Sequence, residues 1–350
     1  MRRPCGAAFC LLGVQVRTFI ALVLLFFGWS SIASADTLET VRERGFVKCG
    51  ANQGHRGFSN LSAEGFWSGF DVDLCRAVSA AIFSDPSRVE FVEYAGDFRM
   101  TPLRVGEVDL MSRNGYWNMP RDNVFDVVYT GVVFYDGQGI MVRDEAEVVS
   151  ALELRDISVC VVANSLQHDV LERFFFNNQI SYQEVMVEDS ADLAGAYMAG
   201  ICDAVTASAT SLQEIKINAI NPSQHRILPE RLSKEPMGPV VRKGDMKWQT
   251  IIRWVLFAMI NAEELGVNSR NIDTMAEAKN PRMRRLLGIE GEFGQALGLN
   301  ATWAQDIIRH VGNYGEVYER NFGNTSGLMI PRGANELWTK GGLHYAPPIR

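Results

Sequence analysis

The chain has 350 residues and a formal net charge of −7, from 41 acidic and 34 basic side chains. Such an acidic balance argues against nucleic acid and against anionic lipid as partners, and it leaves the sign of any small ligand to a local patch. At roughly 100 to 200 residues per domain, the length suits two domains.

Residues 1–35 read as a cleaved signal peptide. Arg2, Arg3 and Arg17 precede an apolar run from Phe19 to Phe27, and Ala33-Ser34-Ala35 supplies small residues at a cleavage point. Losing three arginines moves the net charge from −7 to −10 in a mature chain that begins near Asp36. Cys10 is not expected to carry a lipid, because Phe9 before it is too large for the usual lipid-attachment motif. No later window reaches the roughly 18 uninterrupted apolar residues of a membrane span. The best, Ile251 to Ile260, is short and is broken by Arg253. The predicted product is exported and soluble.

Strand-like and helical runs then alternate. Val47 to Cys49, Val72 to Phe83, Val89 to Tyr94, Met100 to Val105 and Leu110-Met111 give the rhythm of an open α/β sheet covered by helices. A second set follows Gly137-Gln138-Gly139: Ile140 to Val142, Val159 to Val162, a helix from Gln167 to Asn177, Glu184 to Val187, a helix near Ala191 to Ala199, and Asp203 to Thr206. Two similar α/β units are predicted. At the opening of the first helix, Asp71 or Asp73 is expected to cap by accepting from an orphan backbone N–H. Four cysteines stay in the mature chain, Cys49, Cys75, Cys160 and Cys202. An even count in an oxidising compartment suggests two disulfides, and four cysteines allow three pairings. Cys49 with Cys75 and Cys160 with Cys202 is the expected pairing, since each joins a strand end to a nearby element of the same half. Four buried free thiols are the alternative.

The stretch Gly65-Phe66-Trp67-Ser68-Gly69-Phe70-Asp71-Val72-Asp73, after the apolar strand Phe46 to Gly50, resembles the periplasmic solute-binding proteins that feed ABC importers, in their polar amino acid branch. The tail, including Val311 to Arg320 and Gly341 to Arg350, resembles the larger general L-amino-acid-binding proteins of Gram-negative bacteria, and the likeness runs from about Thr37 to Arg350. The resemblance implies an α/β, two-lobe type II periplasmic-binding-protein fold with a hinge between lobes and a C-terminal helical extension. Residues 36–138 plus 245–350 would form lobe one and 139–244 lobe two, with Lys234 to Lys243 as the strand that returns the chain to the first lobe. Ligand would sit between the lobes, where strand ends and helix N-termini converge.

In that family an arginine holds the carboxylate of a ligand amino acid, small hydroxyl residues assist it, and an aspartate in lobe two takes the ammonium. Ser112-Arg113-Asn114-Gly115-Tyr116-Trp117-Asn118-Met119-Pro120-Arg121-Asp122 resembles the family's Ser-Arg-Asn-Thr-Thr-Trp-Thr-x-x-Arg-Asp, so Arg121 is the expected carboxylate fork, with a pair to Asp122 or Asp126 as its alternative. Asn114 remains, but Gly115 and Tyr116 replace two threonines and a ring is expected in the cleft, with Trp117 as a second wall. In lobe two Asn164-Ser165-Leu166 stands for Gly-Thr-Thr, keeping one hydroxyl at Ser165 and losing one at Leu166. Gly200-Ile201-Cys202-Asp203 leads to Ser208 in place of the family's final aspartate. His55 and Arg56 occupy the loop expected to face the cleft, with Phe58 packed beneath it; Trp67 either walls the pocket or fills lobe one.

The leading expectation is therefore a periplasmic substrate-binding component of an amino-acid-type ABC importer, monomeric, without cofactor or metal, working with a permease in the inner membrane. Ser208 and Tyr116 also admit a ligand that lacks a free ammonium, such as another carboxylate or an amino acid derivative, and loss of transport in favour of sensing is a further alternative. Some proteins of this fold resemble dehydratases, but no Ser-His-Asp order, metal-ligand cluster or phosphate loop accompanies His55 or Glu64 here, so an enzyme is not expected.

Overall fold

Helical and strand periods alternate from residue 37 onward, and the structure, a computed structural model that describes residues 36–94 and 100–350, turns them into two five-stranded sheets. The segment read as a signal peptide lies outside the described residues. Helix α1 (Thr37–Arg44) leads into β1 (Val47–Ala51), a small hairpin of β2 (Asn60–Leu61) and β3 (Trp67–Ser68), helix α2 (Phe70–Phe83), β4 (Val89–Glu93), β5 (Leu110–Met111) and β6 (Val127–Tyr129). After β7 (Phe134–Asp136) come β8 (Gln138–Arg143), β9 (Ile157–Val162), α3 (Leu166–Asn178), β10 (Tyr182–Val187), α4 (Ser190–Met198), β11 (Ala204–Ser208), α5 (Ala209–Asn218) and β12 (His225–Ile227). The chain closes with β13 (Glu235–Met237), β14 (Val240–Arg242) and the helices α6 (Met246–Glu264), α7 (Trp303–His310) and α8 (Tyr314–Asn321), joined by shorter turns.

The first sheet has the order β4-β1-β5-β14-β6 and the second β10-β9-β11-β8-β12. In each, three strands run parallel and the remaining two are antiparallel to their neighbours. The parallel strands have helices on their faces, and β1 and β11 are almost wholly buried. Between the sheets, β7 and β13 form a two-stranded antiparallel ribbon in which Asp136 faces Glu235, Tyr135 faces Pro236 and Phe134 faces Met237. Both chain crossings thus lie side by side, as a hinge requires. Because β14 pairs with β5 and β6, the return crossing is complete before residue 240, whereas the expected boundary kept the second lobe running to 244. Gly238 makes that early crossing possible: a Cβ there would meet the Gly131 carbonyl oxygen at 1.9 Å.

Both disulfides form as expected, Cys49–Cys75 tying β1 to α2 and Cys160–Cys202 tying β9 to the approach of β11. The capping expectation fails. Gly69 is the N-cap of α2 and no side chain caps it. Asp73 instead accepts from Arg320 Nε and Asn321 Nδ2, both at 2.8 Å, which fastens α2 to α8. Asp71 is buried and bonds to Ser112 and to the backbone of Asn114.

The C-terminal helices pack on α2 and α6 and complete the largest core cluster. Phe58 lies beneath its loop as expected, with ring centroids 5.1 Å from Phe134 and 4.8 Å from Phe322. Beyond α8 the tail reaches the hinge itself. Asn335 Oδ1 accepts from Tyr135 N–H at 2.7 Å and its Nδ2 donates to the Tyr135 carbonyl at 3.0 Å, so one side chain satisfies both backbone groups on the free edge of β7. Tyr314 Oη donates to the Val133 carbonyl at 2.9 Å just upstream. Among the described residues, no helix is long and apolar enough to cross a membrane.

Candidate functional site

A cavity of about 830 Å³ opens between the lobes, where the C-terminal ends of the parallel strands of both sheets meet. Strand ends in such sheets lead into loops and helix N-termini, whose unpaired N–H groups and small side chains make a polar lining. His55, Asn114, Gly115, Tyr116 and Arg121 line it from lobe one, and Ser165 and Ser208 from lobe two.

The lobe-one wall is set by a residue that the motif had assigned to a helix cap. Asp71 accepts from Ser112 Oγ and from the backbone N–H of Asn114, both at 2.7 Å, and so pins the segment 112–114 against α2. The pinning holds Asn114 at φ 47°, a left-handed conformation that asparagine tolerates better than most residues. Burial raises the Asp71 carboxyl to about 6, against the pull of the Ser112 and Asn114 bonds and the Arg113 charge. Tyr116 follows, bridged to Met237 of the hinge ribbon, with its phenol pushed well above the usual range by burial and by the Glu235 and Asp136 carboxylates.

Arg121 is drawn into the cavity by its own neighbours. Asn118 Oδ1 accepts from the Arg121 N–H at 3.0 Å and starts the short helix Met119–Val124. Arg121 Nη1 donates to the Tyr116 carbonyl at 3.0 Å, an oxygen that also accepts from Tyr129 Oη at 2.8 Å. Among the described residues, no ion pair with Asp122 or Asp126 accompanies these contacts. His55 also lines the cavity, and burial and the Arg113 charge both lower its proton affinity.

Trp117 does not wall the cleft. In extended chain successive side chains point to opposite faces, so with Tyr116 in the cavity lining, Trp117 stacks on Tyr129 at 5.3 Å. Trp67 likewise packs on Phe91 in lobe one, 5.6 Å between centroids. Arg56 is not in the lining; its charge falls on Glu214.

In lobe two, β9, β10 and β11 each feed a helix at the cavity. Ser165 is the N-cap of α3, accepting from His168 N–H at 3.1 Å while donating to the Val162 carbonyl at 2.6 Å. Ser208 is the N-cap of α5, accepting from Ser211 N–H at 3.2 Å. Both serines expected as ligand hydroxyls therefore already serve backbone amides. Sequence reading missed Ser211, Glu214 and Asn218, which continue the cavity face of α5 from Ser208. Their spacing of three to four residues was the available signal. It missed Asp136 as well, which accepts from Thr210 Oγ1 at 2.6 Å and from Gly137 N–H at 2.8 Å. Away from the cleft, His168, Glu172 and Glu184 bring ligand-type atoms within 4.8 Å of one another, but His168 Nε2 is already bonded to Glu184 Oε2 at 3.1 Å.

Residues 47–270 match the family described as bacterial extracellular solute-binding proteins, family 3. The chain is 45% identical over 323 residues to the general L-amino acid-binding periplasmic protein AapJ of Rhizobium johnstonii, covering 92% of this chain and 95% of that one. It is 42% identical over 332 residues to the glutamate/glutamine/aspartate/asparagine-binding protein BztA of Rhodobacter capsulatus, with 95% and 97% covered. Among solved structures, an ABC transporter periplasmic binding protein from Brucella ovis with glutathione bound superposes with a TM-score of 0.81 at 43% identity, over 90% of this chain and 100% of that one.

Proposed function

The chain belongs to the bacterial extracellular solute-binding proteins, family 3, and from that premise we propose that it is the periplasmic, monomeric receptor of an amino-acid-type ABC importer. It binds its solute without turning it over and presents the closed form to an inner-membrane permease. The relatives support this: AapJ and BztA are named as amino-acid-binding proteins, and the Brucella ovis protein holds glutathione.

The observation that carries the reading is Arg121, a guanidinium in the lining of a cleft between two lobes, with its planar fork suited to a carboxylate. The α-carboxylate of the solute meets Arg121, with Asn114 beside it, on a wall that Asp71 holds in place. His55 and the Tyr116 ring flank the solute, and Ser165 and Ser208 reach it from lobe two when the β7–β13 ribbon bends. Since both lobes touch the same molecule only when shut, the solute stabilises the closed state. A cavity of about 830 Å³, with Gly115 in place of a threonine on its wall, favours solutes that extend beyond a single small amino acid, including short peptides.

Calorimetry on the mature protein with L-glutamate, L-glutamine and glutathione tests this. At least one is expected to bind, and Arg121→Ala is expected to weaken it by about 2 kcal/mol or more, the scale for removing one partner of a buried charge pair. Binding left intact in a folded Arg121→Ala protein removes Arg121 from the site and refutes the reading.

A further inference from the structure

Two neighbouring stripes of α5 do different work. Ser211, Glu214 and Asn218, at helical spacings of three and four, line the cavity. Thr210, Gln213 and Ile217 repeat those spacings one residue earlier, and each meets a part of the molecule outside lobe two. Thr210 Oγ1 donates to Asp136 Oδ2 of the hinge ribbon at 2.6 Å. About one turn on, Gln213 Nε2 donates at 2.9 Å to the carbonyl of Leu328, 115 residues away in the C-terminal extension. About one turn further, Ile217 packs against the largest core cluster, which α2, α6 and the C-terminal helices build. At a rise of about 1.5 Å per residue, Ile217 lies roughly 10 Å along the helix from Thr210, so the stripe leads from the hinge out over lobe one.

The seat that receives Gln213 is firm and stands at the cleft. Leu328 is buried in that core cluster and its N–H donates to Ser326 Oγ at 3.0 Å, which holds its carbonyl in one direction. A Cβ on Gly57 would meet Leu328 Cδ1 at 2.8 Å, so the loop that carries Gly57 lies directly against the seat, and Gly54 and His55 of the same loop line the cavity. Arg56, between them, acts across the gap: its charge draws the Glu214 carboxyl back down against the rise that burial gives it. The contact is therefore on the cleft side of lobe one, where closing brings the lobes together and opening parts them. Among the described residues, none of the C-terminal extension is in the cavity lining.

We propose that Gln213 and Ile217 are positioning residues that dock α5 on the C-terminal extension in the closed form, so that the extension sets how tightly solute is held without touching it. A contact made only in the closed form raises the population of that form, and the apparent affinity rises by the same factor for every solute that needs closure. Such a latch adds holding power and no discrimination, which is left to the cavity stripe beside it. This rests on the reading of the cleft as a solute site that shuts by bending of the β7–β13 ribbon.

Stopped-flow fluorescence on the mature protein with L-glutamate, L-glutamine and glutathione tests this in wild type, Gln213→Ala, Ile217→Ala and Arg121→Ala, each checked for folding by circular dichroism. Gln213→Ala is expected to raise the dissociation rate about fivefold, the scale of one neutral hydrogen bond, and Ile217→Ala by a similar factor. The factor should be the same for every solute that wild type binds. Association rates should not change, because solute enters the open form before the contact is made. In a folded variant, an unchanged dissociation rate, tighter binding, or a loss confined to one solute or to the association rate overturns the proposal. Binding that is lost in Arg121→Ala and untouched in both α5 variants sinks the proposal and leaves the solute site standing. Wild type that binds no probe at all removes the reading of the cleft, and this proposal with it.

Discussion

Asp71→Asn separates the electrostatic cost of the lobe-one wall from its architecture. The carboxyl is fully buried and its proton affinity rises from 3.8 to about 6, so the folded state prefers it protonated. A raised folded value means that stability from this group is present in full below 3.8 and is lost as the pH rises through about 6. Integrating that linkage gives a loss of about 1 kcal/mol by pH 4.5 and about 3 kcal/mol by pH 7.5, a difference of roughly 2 kcal/mol between the two conditions. Asparagine does not titrate, so the difference in unfolding free energy between wild type and Asp71→Asn should shift by that amount in favour of the variant between pH 4.5 and 7.5. Urea unfolding at several pH values reads it directly. The variant amide can accept only one of the two bonds from Ser112 and Asn114, so the wall loosens and solute affinity should fall at neutral pH even where stability does not. Parallel stability curves for the two proteins would show that the buried carboxylate costs the fold nothing, and unchanged affinity would release Asp71 from positioning Asn114.

Two other perturbations act on stability. Replacing Cys160 and Cys202 by serine opens a disulfide with a sequence separation of 42, which the chain-entropy account values at about 4 kcal/mol; chemical unfolding should register the loss, and a change below about 1 kcal/mol would contradict it. His344 is buried against Tyr314 and Tyr135, and burial with the Arg332 charge lowers it from 6.5 to about 3. With the folded value depressed, its contribution is present above 6.5 and lost as the pH falls toward about 3. At pH 4.5 wild type should have given up between 2 and 3 kcal/mol, roughly, that His344→Phe retains, and an unchanged acid slope in the variant would refute this.

Much of the fold was legible because its signals are local. The alternation of apolar strands with helical periods and the Arg121 segment each occupy a short window, and both disulfides pair as expected, although Cys49 and Cys160 lie within β1 and β9 and not at strand ends. The failures involve partners far apart in sequence. Asp71 looked like a helix cap because caps act within three residues, but its partner Ser112 is 41 residues away. Trp117 was read as a wall because it lies inside the Arg121 segment, and only the extended path of that segment sends it behind Tyr116. The Asp136–Thr210 contact spans 74 residues and depends on β7 and the start of α5 meeting at the hinge, which no window contains.

The tail's grip on the hinge also orders assembly in time. The second sheet is drawn from one unbroken stretch, β8 to β12, whereas the first waits for β14 to enter between β5 and β6, and the ribbon waits for Asn335 to reach Tyr135 across 200 residues. Contacts this distant close late, because the intervening chain must first surrender its freedom. For a chain made N-terminus first, the later lobe can therefore mature before the earlier one, and the ribbon gains its Asn335 clasp only once the tail is in place.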